Sequence, residues 1–385
     1  MGHQWFQRLR NIRQLGLSSL VYPGAVHSRF QHSLGAMYLT GQAIHTLRSK
    51  GTEISDAGEE AVLAAILLHD IGHGPFSHAI EPAMKELCGR AHHDTAWLTE
   101  DPDLTSILAG HGIDTGQSAA LLDGEHELSG ILHGELDVDR MDYLLRDAHY
   151  TGVPYGTVDA HRLIRNTVIY DGQIAIQEGG INAAESLLIA RTLMRPAVYY
   201  HHVSRIAEMM LSRAVYEHFL SIRGAHPWSF MRLDDAGCFQ SLLHSPSEVA
   251  RVLIESIYSR RMYKRALYVG KDQVNMAIIA QESTPAKMRG LAARIAKAAG
   301  VEAHEVLVDI PEFPKAMSVH VKVKNRDRVV GLEEISPLVT TLNETRRGQW
   351  RLGVYSSPGC VTEVGSATRE ILHVKPFTTQ DRLPL

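Results

Sequence analysis

Apolar residues recur at helical spacing over the first 70 residues of the chain. From residue 31 to residue 50 they repeat about every 3.6 residues, which predicts an amphipathic helix that ends at Gly51. The next run, residues 61–68, contains eight apolar side chains and no polar one. A helix over 59–70 would therefore be apolar on every side and buried. The glycines and the proline that follow it would end it.

The middle of the chain is also predicted to be mostly helical. A third helix is expected over 136–148, and an Asp-Gly turn between apolar residues predicts a hairpin over 167–176. Asn182 and Glu185 resemble a capping box, which predicts a long helix from there to about residue 222. Mostly helical sequence continues to about residue 265.

The pattern changes near residue 265, where short β-branched runs begin. Strands are predicted over 266–269, 306–309, 317–323 and 352–355, and helices over 284–299 and 331–345. We therefore expect a mainly α fold with two parts. A helical domain would span residues 1–265, and a smaller C-terminal α+β domain would span residues 266–385.

Composition excludes several classes of protein. The net charge of −4 provides no basic field for nucleic acid, and no apolar stretch reaches the roughly 18 residues of a membrane span. Three separated cysteines exclude a disulfide framework and a thiolate zinc cluster. Because the N-terminus lacks the apolar core of a signal peptide, we expect a cytoplasmic protein that binds no membrane. Of 22 histidines, 13 fall in the first 150 residues, which concentrates ligand and acid–base capacity there.

Two polar side chains, His69 and Asp70, end the buried helix. A divalent metal would partner them, and a buried His–Asp hydrogen bond without metal is the alternative. Asp139 is a further candidate ligand. A second histidine ligand would be either His32 or the nearby His27, and spacing alone does not distinguish them. Two imidazoles and two carboxylates cancel the charge of one divalent ion. This set without thiolate suits Mn, Fe, Zn or Co, or Mg with substrate phosphates.

Polar residues at helical spacing predict a pocket wall beside the metal. Tyr143 and Asp147 share a face of the predicted third helix with the candidate ligand Asp139. Arg191 and Tyr199 belong to a second stripe of this kind. A solvated helix face is the alternative for either stripe.

Basic side chains near these residues suit a phosphate ligand. His73 lies one turn after His69, and an imidazole can bind phosphate oxygens or donate a proton to a leaving oxygen. Arg29 and Arg140 suit bidentate phosphate binding, although each alone also fits a surface ion pair.

Three motifs carry a resemblance to a known family. They are Pro-Gly-Ala-Val-His-Ser-Arg-Phe-Gln-His-Ser-Leu-Gly at 23–35, His-Asp-Ile-Gly-His-Gly-Pro-Phe-Ser-His at 69–78, and Asp-Val-Asp-Arg-Met-Asp-Tyr at 137–143. Together they resemble the HD-domain deoxynucleoside triphosphate triphosphohydrolases, over about residues 6–264. The resemblance implies a helical HD-domain bundle with one divalent metal. It also implies that the metal ligands are His32, His69, Asp70 and Asp139.

The same resemblance implies roles for neighbouring residues. His73, His78 and His93 would bind phosphate or act as acids, and His78 would protonate the departing sugar oxygen. Glu81 stands where the family usually has Asp after this histidine. With the stripes and arginines above, the predicted substrate-binding residues are Gln14, Leu15, Arg29, Asp137, Arg140, Tyr143, Asp147, Arg191 and Tyr199.

Regulation and assembly are also implied. Four residues match positions that touch an activating nucleotide in relatives, namely Gln7, Arg10, Arg260 and Lys264. The alternative is that they are ordinary basic or polar residues on helix surfaces. A homo-oligomer, either a dimer or a tetramer, is expected as well.

The leading functional hypothesis is hydrolysis of a deoxynucleoside triphosphate to deoxynucleoside and inorganic triphosphate. One alternative is HD-type phosphohydrolase or phosphodiesterase activity on another nucleotide. A second alternative is a nucleotide-sensing HD module with little turnover. Since the chain has no basic run, nucleic acid is not an expected partner.

Overall fold

The computed structural model describes residues 1–89, 95, 98, 100–170, 173–222, 227–317, 322–325 and 328–375. The helices up to the hairpin are α1 (Gln4–Arg8), α2 (Arg29–Ser49), α3 (Asp56–Leu68), α4 (Glu81–Cys88), α5 (Pro102–Gly110), α6 (Thr115–Asp123), α7 (Ser129–Leu132), α8 (Val138–Thr151) and α9 (Ala160–Asn166). The later helices are α10 (Ile181–Met194), α11 (His202–Ser221), α12 (Pro227–Met231), α13 (Asp235–Leu243), α14 (Glu248–Tyr258), α15 (Met276–Gln281), α16 (Pro285–Ala299), α17 (Leu332–Ile335), α18 (Pro337–Gly348) and α19 (Val361–Ile371). The strands are β1 (Thr167–Tyr170), β2 (Gln173–Gln177), β3 (Lys264–Gly270), β4 (Val306–Asp309), β5 (Lys322–Asn325), β6 (Arg328–Gly331) and β7 (Arg351–Ser356).

The three helices predicted in the first 150 residues are confirmed as α2, α3 and α8. Ser28 and Gln31 form a capping box that starts α2, so the chain enters this helix at a defined residue. The apolar run of α3 is buried against α2, with Val62 and Ile66 beside Ile44 in one core cluster. α8 also packs against α2. This arrangement brings the C-terminus of α3 close to the start of α8.

Two small sheets complete the fold. The predicted hairpin of β1 and β2 is confirmed, but β2 also pairs in parallel with β5, which pairs antiparallel with β6. In the second sheet, of order β3-β7-β4, all pairs are antiparallel, and α16 and α19 pack on it. The mainly α fold with a smaller α+β part is therefore confirmed. The domain boundary at residue 265 stays a prediction, because residues 322–348 pack against elements that precede it.

The prediction of one long helix from residue 182 to about residue 222 is wrong. The chain forms α10 and α11, with a π-helical turn over Arg195–Tyr199 between them. Pro196 lacks a backbone N–H and its ring displaces the preceding turn, which explains the break. Asn182 does not cap α10, whose N-cap is Gly180. The Glu185 carboxylate instead accepts a hydrogen bond from Ser336 Oγ at 2.5 Å.

One C-terminal prediction also differs from the structure, and another lies mostly outside the described residues. The predicted helix over 331–345 is divided into α17 and α18, because Ser336 precedes Pro337 and takes an extended conformation. Of the predicted strand over 317–323, residues 318–321 lie outside the described residues, and β5 begins at Lys322. Within the described ranges, no helix combines the length and the apolar character needed to cross a membrane.

Candidate metal centre

His69 follows the last residue of the buried helix α3 and has one ring nitrogen without a partner. Its Nδ1 donates a hydrogen bond to the backbone carbonyl of Ile66 at 2.6 Å. Its Nε2 is buried and has no hydrogen-bond partner. A buried acceptor without a partner costs about 1–3 kcal/mol. A metal ion would therefore satisfy an atom that the protein leaves unpaired.

Four side chains converge on this nitrogen. Potential ligand atoms of His32, His69 and Asp70 all lie within 4.8 Å of one another. Asp139 Oδ1 lies 2.9 Å from Nε2 of His32 and 3.6 Å from Nε2 of His69. Asp70 Oδ1 lies 3.4 Å from the same nitrogen of His69. The donor set of two imidazoles and two carboxylates fits a divalent metal.

Asp142 orients His32 and was not predicted from the sequence. The Nδ1–H of His32 donates to Asp142 Oδ2 at 2.8 Å, which directs Nε2 towards the other three side chains. Arg146 donates to both oxygens of this carboxylate, at 2.8 and 2.9 Å. Burial alone would lower the pKa of His32, but hydrogen bonds with Asp139 and Asp142 outweigh it and raise this pKa to about 10. The position of Asp142 three residues after Asp139 on one helix is the signal that could have identified it.

Asp70 is held in place by basic side chains. Arg29 Nη1 lies 2.6 Å from Asp70 Oδ2, and His73 Nε2 lies 3.3 Å from Asp70 Oδ1. Burial opposes ionisation of Asp70, but the charges of Arg29 and its histidine neighbours keep the pKa of this carboxyl well below its usual value. Arg29 also donates from Nε to Ser77 Oγ at 2.6 Å. Arg29 and His73 thereby hold both oxygens of the candidate ligand Asp70.

A cavity of about 400 Å³ opens beside the four side chains. Its volume is within the usual range for a small-molecule site, and polar groups converge on it. It is lined by Gln14, Arg29, His32, His69, Asp70, His73, His78, Thr95, Leu122, His133, Asp139 and Tyr143. Most of these residues were predicted site residues, so the structure brings distant motifs to one cavity.

His133 lines this cavity and was missed in the sequence. It lies in the loop before α8, where no helical spacing links it to the other histidines. Burial lowers the pKa of His133, and the nearby His69 lowers it further. The ring is therefore neutral near pH 7.

His78, the predicted acid, lies at the mouth of the cavity. His78 has 65% of its side chain exposed, and its Nδ1 lies 3.0 Å from Glu81 Oε2. The rings of His73 and His78 meet edge to face with centroids 5.0 Å apart. Glu81 thus reaches the histidine that it was predicted to assist. The third predicted residue, His93, lies outside the described residues.

The predicted pocket wall contains a buried hydrogen-bond chain. Tyr199 donates from its hydroxyl to Asp147 Oδ2 at 2.9 Å, and His27 Nε2 lies 2.7 Å from Asp147 Oδ1. Tyr143 and Tyr199 meet edge to face with ring centroids 6.0 Å apart. Burial raises the pKa of Tyr199 well above its usual value, and the charge of Asp147 raises it further. Leu15 packs against the same core cluster as both tyrosines.

Three other predicted substrate-binding residues, Asp137, Arg140 and Arg191, form ion pairs within the protein. Asp137 caps α8 by accepting from the backbone N–H of Arg140, whose guanidinium also pairs with it. Burial raises the pKa of Asp137 to about 6, against the opposing charge of Arg140. Arg191 pairs with Glu135, which the sequence did not single out. Arg140 and Arg191 would have to exchange or share these partners to bind phosphate.

The four predicted activator residues lie in two regions. Gln7 accepts from Arg10 Nε at 2.7 Å, and the Arg10 guanidinium lies 3.6 Å from the centroid of the Phe30 ring. Arg260 donates to the carbonyl of Leu20 at 3.1 Å. Lys264 is the exposed first residue of β3. Their role with an activating nucleotide stays a prediction.

Comparisons with known proteins agree with the architecture. The HD domain family matches residues 29–147, and the family described as the HD associated region matches residues 158–383. An uncharacterized protein of Methanocaldococcus jannaschii is 32% identical over 367 residues, covering 93% of this chain and 75% of that protein.

Two further comparisons concern a triphosphohydrolase homolog and a phosphohydrolase. The deoxynucleoside triphosphate triphosphohydrolase SAMHD1 homolog of Dictyostelium discoideum is 33% identical over 285 residues, covering 67% of this chain. The chain spans only 54% of that relative's length. A crystal structure of a phosphohydrolase from Bacteroides thetaiotaomicron superposes with a TM-score of 0.71 at 29% identity, covering 92% of this chain and 94% of that one.

Proposed function

This chain belongs to the HD-domain phosphohydrolases, and we propose that its substrates are deoxynucleoside triphosphates, which it cleaves to deoxynucleoside and inorganic triphosphate. One observation carries the proposal. A single cavity joins the four candidate metal ligands, further imidazoles and the buried amide oxygen of Gln14, which has no hydrogen-bond partner. The Dictyostelium relative's name supports the choice of substrate.

The donor set favours one divalent metal held by His32, His69, Asp70 and Asp139. The unpaired Nε2 of His69 is the observation that fits a metal best. When bound, such an ion polarises a phosphoryl oxygen and lowers the pKa of water. Asp142 and Ile66 fix the two ring orientations that such binding requires. Arg29 fixes the orientation of Asp70.

Several side chains that line the cavity can donate hydrogen bonds to phosphate oxygens. His73 and Arg29 line it together with His133, and each can donate a hydrogen bond to an anion when it carries a proton on the facing nitrogen. Since a triphosphate carries about four negative charges, a cavity with this many basic groups suits it better than a neutral ligand.

His78 is the proposed acid. Hydrolysis at the α-phosphorus forms a bond from phosphorus to the water oxygen and breaks the bond to the 5′-oxygen, which needs a proton as it leaves. His78 lies at the cavity mouth, and its Nδ1 contacts the Glu81 carboxylate, which orients the ring. The Nε2–H would then face the leaving oxygen.

Gln14 and the tyrosines support recognition of the sugar. The buried Oε1 of Gln14 would accept a hydrogen bond from a sugar hydroxyl. Asp147 is fixed by Tyr199 and His27, and Tyr143 faces the cavity. We propose that Leu15 and Tyr199 together exclude the 2′-hydroxyl of a ribonucleotide.

Product analysis tests the substrate and the reaction. Each of the four dNTPs and four NTPs is incubated with the protein and with Mn, Mg, Fe or Co, and the products are separated by ion chromatography. The proposal predicts triphosphate and deoxynucleoside in equal amounts from at least one dNTP. Orthophosphate or a nucleoside monophosphate as the product would support another phosphohydrolase activity. Tight nucleotide binding without product would support a sensing module.

A pair of variants tests the metal ligands. Asp139→Ala should abolish metal binding, measured by elemental analysis, together with turnover. His78→Ala should lower the rate of turnover but retain metal. Asp56→Ala is the matched control, because Asp56 is an exposed aspartate that only pairs with Arg48 at the surface. Wild-type activity in metal-stripped Asp139→Ala protein would refute the assignment.

A further inference from the structure

The turn between the metal motif and His78 has a left-handed backbone. Phe76 and Ser77 have φ angles of 53° and 56°, a region that residues with side chains enter at a cost. Neither residue is glycine, so surrounding contacts have to stabilise this conformation. The turn determines where the next residue, His78, leaves the chain.

Asp235 provides one of these contacts and joins it to the N-terminal segment. Its Oδ1 accepts from the backbone N–H of Phe76 at 2.7 Å, and its Oδ2 accepts from the backbone N–H of Arg13 at 3.0 Å. The carboxylate is only 8% exposed. Burial raises the pKa of Asp235 to about 6, so its ionised form is retained at a free-energy cost. A carboxylate offers an acceptor to each of two N–H groups, whereas an amide offers one oxygen.

The same turn is connected to the candidate metal ligands. Ser77 Oγ donates to the carbonyl of Arg13 at 3.1 Å and accepts from Arg29 Nε at 2.6 Å. Arg29 in turn pairs with Asp70. His78, next in the chain, lines the cavity. A shift of the turn would therefore move both the proposed acid and the arginine that orients a ligand.

Arg8 joins the segment before Asp235 to the metal motif at a second place. Its guanidinium donates four hydrogen bonds at 2.6–3.1 Å, and the acceptors are the backbone carbonyls of Ile71, His73, Met231 and Leu233. The two segments are far apart in sequence. They are therefore fixed to each other by Arg8 just before the turn and by Asp235 at the turn itself.

We propose that Asp235 is a positioning residue for the hydrolytic reaction. From the first residue of α13 it fixes the left-handed turn that presents His78 to the cavity and keeps Ser77 against Arg29. Its role in turnover rests on the proposed function, whereas its effect on the turn does not. A misplacement of about 1 Å at a reacting group can cost roughly 100-fold in rate.

The test compares Asp235→Asn with Asp234→Asn in the full chain. Asp234 is the matched control, because it caps α13 through Gly237 and asparagine caps as well as aspartate does. In D235N, amide hydrogen exchange over residues 74–79 should accelerate by about tenfold or more, and kcat should fall by about 10- to 100-fold with little change in KM. In D234N both should match the wild type.

A double-mutant cycle separates positioning from general stability. If Asp235 acts through His78, D235N should cost much less in an H78A background than alone. Unaltered exchange over 74–79, a fall in kcat of less than about tenfold, or an equal loss in both backgrounds overturns the inference. If D235N does not fold, Asp235→Glu, which keeps both acceptor oxygens on a longer side chain, is judged by the same criteria. If the wild type releases no triphosphate, the proposed function fails, and the exchange measurement still decides whether Asp235 fixes the turn.

Discussion

Replacing Asp142 with asparagine tests how the structure prepares His32 for a metal. Asp142 accepts from His32 Nδ1 at 2.8 Å and from Arg146 at 2.8 and 2.9 Å. Its carboxylate has two oxygens for these donors, and the isosteric amide has one. Oδ2 accepts from both His32 Nδ1 and Arg146 Nε, and Oδ1 accepts from Arg146 Nη2. In D142N the amide oxygen can still accept from His32 if the amide NH2 faces Arg146, but this acceptor carries no charge. The contact that directs Nε2 of His32 towards Asp139 is therefore weakened.

The expected magnitude follows from this contact. A hydrogen bond to a charged group contributes about 1.5–3 kcal/mol, and loss of the partner that orients a ligating histidine weakens metal binding by roughly 10- to 100-fold. We therefore expect the metal Kd of D142N to rise by roughly 10- to 100-fold, which is about 1.4–2.8 kcal/mol. The thermal unfolding of the metal-free protein should change much less than its metal affinity.

Isothermal titration calorimetry with Mn provides the measurement, and elemental analysis checks the stoichiometry. Asp56→Asn serves as the control, because that carboxylate is exposed and its ion pair with Arg48 contributes little. If the metal Kd of D142N stays within about threefold of the wild-type value, Asp142 does not orient His32 for metal binding. A weaker orienting bond should lower the metal affinity.

Three further predictions follow from other contacts. Since the pKa of His32 is about 10 without metal, metal binding at neutral pH should release at least one proton, and the metal affinity should rise with pH. Calorimetry in buffers of different ionisation enthalpy measures the number of protons released. The absence of proton release would contradict this prediction. Tyr199→Phe removes the hydroxyl that donates to Asp147 and should raise KM about fivefold with kcat nearly unchanged. An unchanged KM would argue against the proposed recognition of the sugar. Asp309→Asn breaks the largely buried ion pair with Arg205. It should lower the free energy of unfolding, measured in urea, by about 3 kcal/mol. A loss under about 1 kcal/mol would show that the pair is dispensable for stability.

The parts of the site that could be predicted from the sequence are those with a local pattern. His69 and Asp70 follow an unbroken apolar helix, and Asp139 lies on a helix with a polar stripe, so composition and spacing identify them. His32 required the family resemblance, because spacing alone did not separate it from His27. The same local patterns give α2, α3, α8 and the β1–β2 hairpin.

Contacts between distant segments had no such pattern. Asp235 meets Phe76 across 159 positions in the chain, and neither residue predicts the other. His133 lies in a loop, where periodicity carries no information. The predicted long helix is wrong for a different reason. The capping pattern at Asn182 indicates where a helix could begin, whereas Pro196 restricts the backbone and limits how far that helix can continue. The pairing of β2 with β5 joins two parts of the chain that composition had separated.

Hydrolysis in water labelled with oxygen-18 tests the central claim most directly. The triphosphate and the deoxynucleoside released from a dNTP are separated and weighed by mass spectrometry. Attack of water at the α-phosphorus predicts one heavy oxygen in the triphosphate and none in the deoxynucleoside. Heavy oxygen in the 5′-hydroxyl of the deoxynucleoside, or in released orthophosphate, would contradict hydrolysis at the α-phosphorus with His78 protonating the 5′-oxygen.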